Sequence, residues 1–154
     1  MEKALRYLLL AGAIYFVAMS LAHFFSWKLP VLFVYWDTPY FAYQDKIISF
    51  AVLTYVALFY TAFRHRVAIP GALFAITATA VGLAFVNVSA ALGMTLHEGA
   101  FSSTDWEMSW RAVSPEAEAG LSRGPYWAQT AMIAAYAITL NVLYFLSPNF
   151  SSAD

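Results

Sequence analysis

The 154-residue chain contains no cysteine. That excludes disulfides, thiolate nucleophiles, zinc–thiolate sites and iron–sulfur clusters together. Charge is nearly as scarce: Asp, Glu, Lys and Arg make up 11% of the residues, against roughly 25% in a soluble domain. A soluble protein of this size could not cover its surface with so few charges. The net charge is −1, and there is no basic patch to meet nucleic acid. Zinc-protease, Walker and Rossmann motifs are absent, as is any Ser-His-Asp pattern at diagnostic spacing.

Apolar residues fill that space, at 62% of the chain. Val67 to Leu96 carries no formally charged side chain and leads into His97-Glu98-Gly99. About 20 such residues cross a bilayer core. Three further uncharged runs are Tyr7–Trp27, Ile47–Phe63 and Pro125–Leu146, the second only just long enough to span. Without water, backbone groups must pair within each run, so the runs are helices. The expected fold is all-α. It is a polytopic membrane protein of one domain, 1–154, a four-transmembrane-helix bundle with spans at about 7–27, 45–63, 69–96 and 125–146. The first run is too long for a signal-peptide core and lacks a small-residue cleavage site, so it reads as a retained helix.

Lys3, Arg6, Arg64 and Arg66 flank one side of these spans, and Lys28, Lys46, Arg111 and Arg123 the other. The totals tie, but Arg64 and Arg66 are concentrated in a very short connection. The positive-inside rule then places both termini in the cytoplasm of a bacterial inner membrane or its equivalent. Arg64-His65-Arg66 reads as a solvated turn.

Small residues recur on two helices: Gly12, Ala13, Ala18 and Ala22 on the first, Ala78, Gly82, Ser89 and Gly93 on the third. Such faces let backbones approach closely, against each other or against a partner chain. The first outer loop, residues 28–44, is aromatic, with Phe33, Tyr35, Trp36, Tyr40, Phe41 and Tyr43, and is expected at headgroup level. In the second, Thr104-Asp105-Trp106-Glu107 matches a capping box and Ser114-Pro115-Glu116 a helix start. One or two short interfacial helices are expected there.

Depth arithmetic singles out one polar group per helix. Counting about 1.5 Å per residue from Arg6, Phe63, Ala68 and Leu146 puts His23 at about 25 Å, Asp45 at about 27 Å, Asn87 at about 28 Å and Gln129 at about 25 Å. Polar residues gather wherever helices leave hydrocarbon, which is the simpler reading. The sharper one has these four facing inward to line a ligand-binding pocket open to the outer side. His23 beside Asp45 could relay a proton or ligate a metal. His97 and Glu98 complete the weak metal candidates, but a straight third helix would hold His97 some 18 Å above His23.

Three functions follow. The first is a non-catalytic accessory or structural subunit of a larger membrane complex, with the lipid bilayer and a protein partner or homo-oligomer as its contacts. The alternative is a small membrane enzyme or binding protein for a lipid, quinone-like or other amphiphilic ligand, using the outer polar layer. Haem or metal binding and transport come last, and no cofactor is expected.

Overall fold

The structure is a computed structural model that describes residues 2–25, 27, 41–89, 92 and 123–147, with side chains omitted for 41–45. All secondary structure among these residues is helical: α1 (Glu2–Phe24), α2 (Phe41–Arg64), α3 (Ile69–Val88) and α4 (Gly124–Phe145). Each is long and apolar enough to cross a membrane. The aromatic first loop, the capping box and the expected interfacial helices lie outside the described residues.

Neighbouring helices run antiparallel, and α1–α2, α2–α3, α3–α4 and α4–α1 pack in a ring. The α1–α2 and α3–α4 seams are the extensive ones. One end of the bundle, called the turn end here, carries Glu2, the tight α2–α3 connection and Ser147. The other, the loop end, carries Phe24, Val88 and Gly124.

The inward stripes follow helical spacing. On α1 it is Leu5, Leu9, Gly12, Phe16, Ser20 and His23; on α3, Ile69, Leu73, Ile76, Ala80 and Asn87; on α4, Leu140, Ala137, Ile133, Thr130 and Tyr126. Each stripe starts apolar at the turn end and becomes polar at the loop end. Phe16 and Phe59 stack edge to face at 5.4 Å in the middle, with Tyr136 offset-stacked on Phe59 at 6.1 Å. Gly12 sits under this cluster. A Cβ there would strike the Tyr136 hydroxyl and stand 2.8 Å from Phe59 Cδ1, so only glycine lets α1 approach both α2 and α4.

Several boundaries differ from those read off the sequence. The α2 helix begins at Phe41, four residues ahead of the expected start of the second span at 45. More consequentially, α3 ends at Val88 instead of continuing to Leu96. Ser89 leaves the helix with ψ 151°. Its Oγ donates to the Val86 carbonyl at 2.7 Å and accepts from the Leu92 N–H at 3.2 Å, the geometry of a serine starting a new helical turn. A straight helix was the premise of the depth assigned to His97, and that premise fails. The two small-residue faces also do not meet: α1 and α3 stand across the diagonal, Gly12 packs on α2 and α4, and Gly82 faces open space.

Arg64-His65-Arg66 is more than a solvated turn. His65 is extended, at φ −128° and ψ 121°, and Arg66–Ala68 forms a single 3₁₀ turn before Pro70 at the start of α3. Arg66 grips the Glu2 carboxylate with both arms, Nε reaching Oε1 at 3.1 Å and Nη2 reaching Oε2. Arg6 Nε donates to the same Oε1 at 3.2 Å, and Arg6 Nη1 to the Phe63 carbonyl at 3.3 Å. The start of α1 is thus tied to the α2–α3 connection.

Candidate functional site: the polar end of the bundle

The loop end gathers side chains that apolar helices rarely bury. His23 is 2% exposed, Asn87 1%, Gln129 6%, Ser49 1%, and Ser20 and Thr130 5% each. Three of the four expected site residues therefore face inward. Asp45 lies on α2 one turn before Ser49, but its side chain is outside the described residues, as are His97 and Glu98.

The network is built in pairs across neighbouring helices. Ser20 Oγ donates to the Ser49 carbonyl at 2.9 Å, joining α1 to α2. Ser49 Oγ in turn donates to the Lys46 carbonyl at 2.7 Å. Asn87 Nδ2 donates to Thr130 Oγ1 at 2.8 Å, joining α3 to α4, and Thr130 passes its own proton to the Tyr126 carbonyl at 2.9 Å. Tyr15 and Gln129 are hydrogen-bonded between α1 and α4. Buried polar groups need such partners, and chains of them strengthen one another at low dielectric.

Helix ends are closed by cations. Lys46 Nζ donates to the Phe24 carbonyl and lies 4.7 Å from the centroid of the Phe24 ring. It thereby caps the last turn of α1. Arg123, itself exposed, donates through Nη1 to the Asn87 carbonyl at 3.2 Å and caps α3.

The layer is stepped rather than flat. Tyr15 lies about 12 Å below His23 along α1. Gln129, bonded to Tyr15, sits correspondingly lower than His23. Tyr136 gives the same offset, since its hydroxyl donates to the Leu8 carbonyl at 2.8 Å. Depth arithmetic missed this because it assumed that all four helices end level. It also missed Ser20, Ser49, Thr130 and Tyr15. The available signal was small hydroxyls at helical spacing from the polar residues it did find.

Two apolar grooves open on the bundle's sides. One, of about 250 Å³, lies between α1 and α4 and is lined by Leu8, Gly12, Tyr15, Met132 and Tyr136. The other, of about 580 Å³, lies between α3 and α4 and contains Thr77, Val81, Ile138 and Asn141. Among the described residues, no three His, Asp or Glu side chains converge as a metal site would require.

Fold and site together define a class: among the described residues, a four-helix antiparallel bundle of membrane-length helices with buried polar side chains gathered toward one end. Compared with protein-family models, curated proteins and solved structures, the chain matches none.

Proposed function

We propose that this chain is a small integral membrane protein acting as a non-catalytic subunit of a larger membrane assembly. Its outward surface supports a lipid setting. Phe74, Phe85 and Phe145 are 76%, 70% and 79% exposed, a covering that suits hydrocarbon and not water. Glu2 and Ser147 lie at the end that bears Arg64 and Arg66, so the positive-inside rule puts that end in the cytoplasm of a bacterial inner membrane or its equivalent.

One observation carries the subunit reading. The outer polar residues spend their hydrogen bonds on adjacent helices, as Ser20 does on Ser49 and Asn87 on Thr130. Such bonds hold membrane helices together. They make the bundle a rigid body whose outer faces remain for neighbours. Purification in a gentle detergent followed by native mass measurement tests it: the chain should travel with other protein. A homogeneous single chain with nothing bound would sink the reading.

The α1–α4 groove favours a second reading, a binding protein for an amphiphile. Its apolar walls reach the Tyr15–Gln129 pair, so a chain could lie in the groove with its polar group at that pair. Lipid or quinone retained by the parent and lost on Gln129→Leu would support it. Equal retention by both would remove it.

A further inference from the structure

Asn141 and Thr77 form an unusual pair in the α3–α4 groove. Asn141 Nδ2 donates to the Ala137 carbonyl at 2.8 Å and to Thr77 Oγ1 at 3.2 Å. The Ala137 carbonyl can only accept, so the amide nitrogen is fixed on that side and Oδ1 points away. Among the described residues, nothing donates to Asn141 Oδ1, and nothing accepts the Thr77 hydroxyl proton. The neighbouring threonines differ in this respect: Thr79, Thr130 and Thr139 each donate to the carbonyl four residues back.

Position makes the pair costly to leave as it is. Thr77 stands about 12 Å along α3 from its first residue, well inside a core about 30 Å thick. Thr77 is exposed and Asn141 half-exposed. In lipid, an unspent donor or acceptor finds no water to satisfy it and is unfavourable. The groove around them has a floor of Ala80 and Ala137 and rims of Val81, Ile138 and Val142, which leaves room for helices to approach closely.

We propose that this groove is the interface of a homodimer, occupied by the α3–α4 face of a second copy. The pair offers one unspent donor and one unspent acceptor, so it is self-complementary. A two-fold axis along the membrane normal brings the same pair to the same depth in the partner. Thr77 of each copy then donates to Asn141 Oδ1 of the other, as an isologous interface requires. The inference rests on the lipid setting proposed above, and on nothing at the loop end.

The absence of cysteine gives a direct test. Ile138→Cys and Val81→Cys, on the groove rims, and Ile14→Cys, 63% exposed on α1, are each expressed in membranes and oxidised. A disulfide-linked dimer of this chain is expected from a groove position and none from Ile14→Cys. Adding Asn141→Val, or the surface change Thr77→Val, should lower the dimer yield about tenfold, the loss of two interhelical hydrogen bonds. Thr77→Val alone decides the matter if Asn141→Val fails to fold. Cross-linking that is equal at Ile14→Cys, unchanged by Thr77→Val, or directed to a protein of different mass would overturn the dimer. Recovery of the chain without membranes would instead sink the lipid setting itself.

Discussion

The two ends of the bundle solve the same problem with opposite chemistry. At the turn end, one carboxylate, Glu2, is held by two guanidiniums, Arg6 and Arg66, with side chains about a third exposed. At the loop end, neutral groups such as Asn87, Thr130, Ser20 and Ser49 are almost fully enclosed. The difference follows from solvent. Charges are tolerable where water or headgroups share the load, and an exposed ion pair contributes little to stability. Enclosed groups have no such help, so each must find a fixed partner, and its loss is felt. Stability is therefore expected to depend more on the neutral end than on the charged one.

Four substitutions sharpen or break that contrast. Gly12→Leu should have the largest effect, because it forces α1 off both Phe59 and Tyr136 at the midpoint on which both ends depend. A cost of about 3 kcal/mol is expected from overpacking, read as a lowered unfolding temperature in detergent. Asn87→Leu comes next, at about 1–2 kcal/mol, since Thr130 loses its donor from α3. Its effect should be the same at low and high salt. A strong salt dependence would mean that the loop end is wetter than its burial implies.

Ser89→Ala should cost about 1 kcal/mol or less by removing the oxygen that receives the Leu92 N–H. Faster hydrogen exchange at Leu92, with the core of α3 unchanged, is the expected signature. Unaltered exchange there would contradict the capping role. Glu2→Gln should have the smallest effect, and that effect should vanish as ionic strength rises, because screening already weakens exposed pairs. If Glu2→Gln proved more damaging than Asn87→Leu, the comparison between the ends would be reversed.

Much of the fold was legible beforehand, and the reason is locality. Four helices follow from run length and hydropathy, which neighbours in sequence decide. His23, Asn87 and Gln129 stood out because polar residues in apolar runs are conspicuous. Ser89 did not. A serine in a charge-free stretch looks like any small membrane residue, and its turn-starting role appears only when its Oγ is seen to accept from Leu92. The capping roles of Lys46 and Arg123 were hidden for a related reason: their partners, the carbonyls of Phe24 and Asn87, belong to other helices.

By itself, then, the sequence determined four apolar helices, their rough limits, and a polar residue near the same end of several of them. Composition and a fixed rise per residue suffice for that. Only the tertiary structure decided that those residues turn inward, that Gln129 meets Tyr15 one step below His23, and that Asn141 reaches Thr77 on an open face. Which donor meets which acceptor depends on how each helix is rotated and how far it slides along its neighbour. Those quantities arise from packing around Gly12, Phe16 and Phe59, and no stretch of chain encodes them alone.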